Sequence, residues 1–452
     1  MFFREWKGSL SILTLFSAIG LLMLILAIIY SYLSRKAEFP VDAADINNFV
    51  LPLPAKPSVV VLPFQAVTEI SSDKLIANSL TTNIYNELAQ EKLFFVISNL
   101  SSNKLSGLSL RVKETAERLG VRYIISGSLE RWDNGYRFFL TVIDSLSGER
   151  IIADSFDKSK SNIFEFRPLI MGKIYGAIGV DIERKGQALG TLLSNNDNSL
   201  WLKLSNYSSN RLSRDPKRVF ESLRALEKMY EDGSRAYEIL LEIAATYRVV
   251  FDLESEYFNA IRRKEIITQG LFYSSQAIAV KPEDSRAYSV KSDFLELSGK
   301  RNKSYEFKRK AASIGDNSFV ANWDWAVALA KQQKYKKALP FMQQSLRLNP
   351  LHTAGLLQEL AQLQYNARQP EAALETLSDV LAIRPASIPS NLMRIFILGS
   401  LGKMSEAKAA ATNLLKLHPK FSLSAVVRGN IDYNVIYGPT WFQLMNQAGL
   451  PD

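Results

Sequence analysis

The stretch GKMSEAKAAATNLLKLHP, Gly402 to Pro419, is the second half of one unit in a series. Its closing proline falls in phase with Pro385, Pro350, Asp316 and Pro282, at a spacing of about 34 residues. A second position keeps the same beat: Ala407, Ala372 or Ala373, Ala338 and Ser304, small residues that let two helices approach closely. Turn-like tripeptides stand between, Gly299-Lys300-Arg301, Gln333-Lys334-Tyr335, Gln369-Pro370-Glu371 and Gly402-Lys403-Met404. Each is followed by an apolar run at helical spacing, as in Ala407, Leu414, Leu415 and Leu417. A unit of this length is one helical hairpin that cannot bury its apolar side alone, so neighbouring units must stack into a solenoid with a long concave surface. Such an architecture holds something instead of transforming it.

These residues resemble the tetratricopeptide repeat family, whose units end in a proline and carry a small residue about twelve positions earlier. The match runs from Leu271 to Pro419, departs from the pattern at Asp316, and slips by one residue in the repeat containing Glu371. Upstream, Leu202, Leu204, Val219, Leu223 and Leu226 mark further hairpin with degraded repeat signals, so the all-α solenoid is expected over residues 199–426 and a capping tail over 427–452. The resemblance implies that the first helix of each repeat faces a peptide groove. It places Val320, Trp323, Val327 and Lys331 there, with Gln358 and Gln362 in the next repeat; packing between helices is the alternative for Trp323 and the expected place of Trp325. Trp323 stands out because large aromatics dominate buried protein contacts.

The chain has 452 residues, 47% of them hydrophobic, enough for two or three folded units. Between Gly8 and Ser34 no charged residue occurs. Residues 9–34 are therefore expected to form a transmembrane helix across the ~30 Å hydrocarbon layer, with Trp6, Tyr30 and Tyr32 as interfacial aromatics. Residues 1–8 then form a short cytoplasmic tail. Arg4 and Lys7 before the helix nearly balance Arg35 and Lys36 after it, so charge alone does not orient it. Residues 35–57, with Pro40, Pro52, Pro54 and Pro57, read as a semi-stiff linker.

From Ser58 the pattern alternates short strands and helices. Val59 to Leu62 reads as a buried strand, Asp73 to Gln90 as an amphipathic helix, Leu93 to Ile97 as a strand and Val112 to Leu119 as a helix stopped by Gly120. Asp133-Asn134-Gly135 predicts a hairpin in which Asn-Gly supplies positive backbone dihedrals, and Ser147-Gly148 a second turn. A helix from Ile163 to about Arg184 closes the unit. Three segments in order, Lys56-Pro57-Ser58-Val59-Val60-Val61-Leu62-Pro63-Phe64, Leu119 to Leu129 and Ile143 to Gly148, resemble the TolB amino-terminal-like domain. That α/β domain is assigned to residues 58–185. In bacterial proteins the resemblance implies tetratricopeptide repeats following it, behind a class III adenylate cyclase or a membrane-bound winged helix. With Met1 to Lys7 ahead of the apolar segment, the sensory or scaffolding half is expected without its output half. The same resemblance tips the body to the periplasmic side of a bacterial inner membrane.

The residue inventory argues against catalysis. There is no cysteine, and the two histidines, His352 and His418, each lie beside a repeat-boundary proline, so no catalytic residue, metal site or cofactor is expected. Gly172, Gly176 and Gly179 lack the order and the Lys-Ser/Thr of a phosphate loop and read as a close-packing helix face. Asp252 to Glu256 lacks the alternation and glycine of a calcium loop. The net charge of +10 is spread over several repeats without a reading helix, so nucleic acid is not the expected partner. The expected role is a membrane-anchored, non-catalytic interaction or sensing module for a protein or peptide partner. The alternative is a regulatory subunit of a split signalling system whose output domain is a separate chain.

Overall fold

A computed structural model describes residues 42–105, 111–178, 198–254, 260–428 and 440–452 of the chain. The first unit is a six-stranded sheet, β1 (Ser58–Val61), β2 (Gln65–Ala66), β3 (Phe95–Val96), β4 (Tyr123–Trp132), β5 (Gly135–Asp144) and β6 (Glu149–Ser159). The main order is β3-β1-β4-β5-β6. β1 runs parallel to β3 and β4, and β2 pairs in parallel with the far end of β4. The long strands β4 to β6 form an antiparallel meander. α1 (Ser71–Gln90) and α4 (Phe166–Ala177) cover one face, while α2 (Asn99–Asn103) and α3 (Val112–Leu119) belong to the other.

The alternation of β1 explains this split. Val59 and Val61 join Ile76, Leu80, Ile84, Phe138, Phe166 and Ile170 under α1 and α4, whereas Val60 points to the opposite layer with Ile97, Leu119 and Ile124. Phe138 and Phe166 are fully buried and contribute roughly 1.5–3 kcal/mol each. α1 is pinned at its start by Asp73, almost fully buried, which takes Thr68 Oγ1, Tyr136 Oη and the Arg131 guanidinium. Burial works against its charge, but those hydrogen bonds win and bring its pKa to about 2.

Two glycine readings change. The β4–β5 connection has no positive-φ residue at Asn134 or Gly135. Gly135 is instead the first residue of β5, and a Cβ there would strike the Lys158 carbonyl of β6, so close packing and not turn handedness requires it. Conversely, a Cβ on Gly172 or Gly176 would meet open space, so the described part of that helix face is not close-packed. Gly148, at φ +70°, does make the turn expected of it.

The second unit is all helical: α5 (Asn198–Ser213), α6 (Pro216–Glu231), α7 (Tyr237–Glu254), α8 (Ala260–Val280), α9 (Ser285–Leu297), α10 (Arg301–Ile314), α11 (Phe319–Lys331), α12 (Tyr335–Leu348), α13 (Ala354–Asn366), α14 (Pro370–Ile383), α15 (Ile388–Ser400) and α16 (Met404–Leu417). Two short helices, α17 (Leu423–Arg428) and α18 (Trp441–Gln447), follow. From α9 onward the helices alternate as first and second members of hairpins. Ser304, Ala338, Ala373 and Ala407 are all fully buried at the hairpin contact. Pro350, Pro385 and Pro419 lie just beyond their second helices. Trp441, Met445, Ala448 and Leu450 cap the end by packing with Leu392, Phe396 and Leu414. Leu417, on the other hand, stays largely exposed.

The departures from the repeat are where the two units meet. Loops leaving three successive second helices dock on the α/β unit. Gln90 Nε2 donates to Asp284 (3.2 Å); Asn317 Nδ2 donates to the Phe94 carbonyl (2.9 Å); and Lys56 pairs with Asp316 (3.1 Å). Asp316, at the proline position of its loop, makes that ion pair, while the two other docked loops keep Pro282 and Pro350. The one-residue slip lies at the start of the repeat containing Glu371, in the loop of residues 349–353, against four-residue loops at 315–318 and 384–387. That longer loop puts Asn349 Oδ1 onto Ser98 Oγ (2.9 Å) and Ser101 Oγ (2.6 Å), and Leu351 N onto Ser101 Oγ (3.0 Å). Leu348 is fully buried in the same layer as Val60 and Ile97. Arg347 lies over the Phe95 ring and donates to the Leu119 and Gly120 carbonyls, so burial lowers its pKa to about 10.

The stretch read as a semi-stiff linker is instead strapped to the α/β unit from Asp42 onward. Ala44 N donates to the Ser145 carbonyl (2.7 Å), Val50 N to the Glu117 carbonyl (2.9 Å), and Phe49 packs into the interface layer. The expected membrane helix, residues 9–34, lies outside the described residues, as do 179–197, 255–259 and 429–439. Among the described residues no helix is long and apolar enough to cross a membrane.

Candidate functional site

The first helices of the hairpins, α9, α11, α13 and α15, stand side by side, and their polar side chains bridge from one to the next. Lys331 Nζ donates to Glu296 Oε1 (2.6 Å), Trp323 Nε1 to Glu359 Oε2 (2.6 Å), and Ser390 Oγ to Gln358 Oε1 (2.7 Å). This is a continuous ladder along four helices. Between its rungs Val320 is 40% exposed and Val327 half-buried, so the face carries apolar surface as well. Gln362 is half-buried one turn beyond Gln358. Trp325 packs edge-on against Phe341, between the helices of its own hairpin.

Electrostatics vary sharply along this face. Burial alone would raise Glu296, but hydrogen bonds from Lys308 (2.5 Å) and Lys331 hold its pKa at about 2. Asp324, 9% exposed, behaves oppositely: burial, with the Asp293 charge beside it, pushes its pKa to about 7. Asp293 is itself raised by burial. Glu359 is raised by burial despite the Trp323 hydrogen bond. The ladder can thus offer hydrogen-bonding groups, one aromatic plane and carboxylates of mixed charge to a chain laid across it.

Sequence reading placed Val320, Trp323, Val327, Lys331, Gln358 and Gln362 on the same side of the stack, and the structure sets them on adjacent first helices. It did not find Glu296, Glu359 or Ser390, their bridging partners. The signal was present as a recurrence: Glu296 and Lys331 are 35 positions apart, as a contact between equivalent turns of neighbouring repeats requires.

A second concavity, of about 530 Å³, lies between α1 and α2 of the α/β unit and α5 and α7 of the helical unit. Asn78, Asn83, Asn103 and Ser208 line it, while Glu242 is held by Arg211 (2.6 Å) and Arg286 by Asp284 (2.6 Å). No hydrogen bond among the described residues joins a hydroxyl of its lining to Glu238 or Glu242. Among the described residues no group of three His, Asp or Glu side chains is placed to hold a metal ion.

No family model matches the chain. A curated protein of Rhizobium meliloti (strain 1021), "Putative adenylate cyclase 3", is 31% identical over 130 residues, which is 29% of this chain and 22% of that protein. The chain therefore spans about a fifth of that relative. Solved structures with similar backbones include MamA (16% identity, 36% of this chain and 97% of that one, TM-score 0.32). YrrB, a TPR protein with an unusual peptide-binding site, aligns at 17% identity over 39% of this chain and 90% of its own (TM-score 0.31). PilW, a type IV pilus biogenesis factor, aligns at 16% identity over 50% and 98% (TM-score 0.39). The assignment of the stack rests on its own period and packing.

Proposed function

We propose that the chain is a membrane-anchored, non-catalytic interaction module that holds a protein or peptide partner along the first-helix face of its repeat stack. The observation that carries this is the ladder Glu296–Lys331, Trp323–Glu359 and Gln358–Ser390, an ordered, half-exposed surface with one large aromatic. Residues 9–34 would fasten the body to a bacterial inner membrane, on its periplasmic side. Tethering would then raise the effective concentration of membrane-bound partners. The partial match to a cyclase-named relative favours a second reading, a regulatory subunit of a split signalling system. Affinity capture with the full chain and with Trp323→Ala tests the groove: a partner retained equally by both removes this face from the account. Stoichiometric co-elution of a cyclase decides for the second reading. A C-terminal reporter fusion active in the cytoplasm overturns the orientation.

A further inference from the structure

The turns inside the hairpins lie at the edge of the stack opposite the α/β unit. The loops leaving α8, α10 and α12 are docked, and thirteen-residue helices such as α11 set the two edges ~20 Å apart. A cleft of about 360 Å³ opens on this free edge, between the turn Gln333 to Lys337 and the next turn, Asn366 to Arg368, with Tyr335 in its wall.

Its rim is cationic. Lys334, Lys336, Lys337 and Arg368 line the cleft, and Lys300 and Arg301 continue the row at the preceding turn. Among the described residues none of these six has a carboxylate at ion-pairing distance, and Lys334 Nζ donates to Gln332 Oε1 (2.7 Å). Some cations elsewhere are matched, as in Arg122 with Asp144, Arg211 with Glu242 and Lys331 with Glu296, and what sets this edge apart is that its cations converge on one cleft. The two turns that line the cleft, residues 333–337 and 366–368, hold three Lys and one Arg and no Asp or Glu. A cluster of like charges is self-repulsive until an anion compensates it.

The backbone gives a second indication. The residue that reverses the chain within a hairpin is left-handed in every repeat: Gly299 at φ +78°, Gln333 at +57°, Arg368 at +69° and Gly402 at +75°. Glycine takes this conformation freely, and other residues at a cost of roughly 1–2 kcal/mol. Gln333 and Arg368, which bear this cost, both line the cleft, and Arg214 in the α5–α6 turn bears it as well at φ +56°.

We propose that this edge is a docking site for a carboxylate-rich peptide segment of a partner protein, separate from the first-helix face. Neighbouring turns are roughly 10 Å apart, about three residues of extended chain at ~3.3 Å each, so acidic side chains at short intervals meet successive cations. A cleft with a tyrosine wall suits protruding side chains better than a flat headgroup plane.

The test uses the full-length protein in detergent, with fluorescence anisotropy of a fluorescein-labelled oligoglutamate at low and moderate salt. The parent binds it with an affinity that falls as salt rises. Lys336→Glu with Arg368→Glu weakens binding about tenfold or more, the matching Gln pair weakens it less, and Trp323→Ala leaves it unchanged. Should the Glu pair lose helical circular dichroism, the Gln pair decides. No binding by the parent, equal binding by the charge-altered pairs, or a preference for phosphatidylglycerol vesicles or a single-stranded oligonucleotide overturns the proposal.

Discussion

Replacing Asn349 by alanine probes the junction between the two units at a single atom. Asn349 is 5% exposed, and its Oδ1 is the shared acceptor for the hydroxyls of Ser98 and Ser101, themselves 1% and 0% exposed. Removing it leaves two buried hydroxyl donors without that acceptor, each costing roughly 1–3 kcal/mol. Both hydroxyl oxygens still accept backbone N–H groups, from Ser101 and Leu351, which keeps the sum at about 2–4 kcal/mol. Urea unfolding followed by circular dichroism reads this directly, as a lower midpoint at an unchanged slope. Adding Ser98→Ala and Ser101→Ala removes the stranded donors but also the acceptors of the Ser101 and Leu351 N–H groups, so the two effects offset and the triple mutant stays within about 1 kcal/mol of the single. A single mutant within about 0.5 kcal/mol of the parent refutes the reasoning, since surface changes give effects of that size. So does a triple mutant that is worse than the single by a further full step.

Three other outcomes follow from the same structure. Gly270→Ala places a Cβ against the Phe294 ring, which is fully buried, and overpacking there costs about 1–3 kcal/mol in thermal or urea unfolding. Gly402→Ala meets no neighbouring atom yet forces an L residue to φ +75°, costing roughly 1 kcal/mol, whereas Gln333→Gly and Arg368→Gly relieve the same strain and are neutral or stabilising. Asp324 has a folded pKa of about 7 against 3.8 in the unfolded chain, so the folded state binds the extra proton between those values and stability falls as pH rises through them. Asp324→Asn therefore flattens the pH profile between about 4 and 7 and is the more stable protein at pH 8 by roughly 2 kcal/mol or more, measured by unfolding at each pH.

Much of the fold was legible because its signals are local or periodic. Val112 to Leu119 is a helix because Glu114 reaches back to the Arg111 N–H at one end and Gly120 turns left-handed at the other, both readable from neighbours in sequence. Ala338 and Ala407 were legible because the stack demands a small residue once per hairpin. What the pattern could not supply was contact between units distant in sequence. Asp316 and the slip before Ala354 look like decay of a repeat, yet they are the loops that touch Lys56, Ser98 and Ser101. Gly135 was assigned to a turn by its neighbour Asn134, while the atom that requires it is on β6, far along the chain. The candidate face followed the same rule: Trp323 and Lys331 could be placed by period, but Glu359 and Glu296 become partners only once adjacent repeats are laid side by side.

The central claim is that the first-helix face holds the partner. Site-specific photocrosslinking in cells tests it most directly, with a benzophenone amino acid replacing Val320 or Gln358 on that face and Lys408 on an outer helix. The account predicts a discrete higher-mass adduct from positions 320 and 358 that Trp323→Ala diminishes, and none from 408. Adducts from 408 alone, or equally from all three positions with no response to Trp323→Ala, would contradict it.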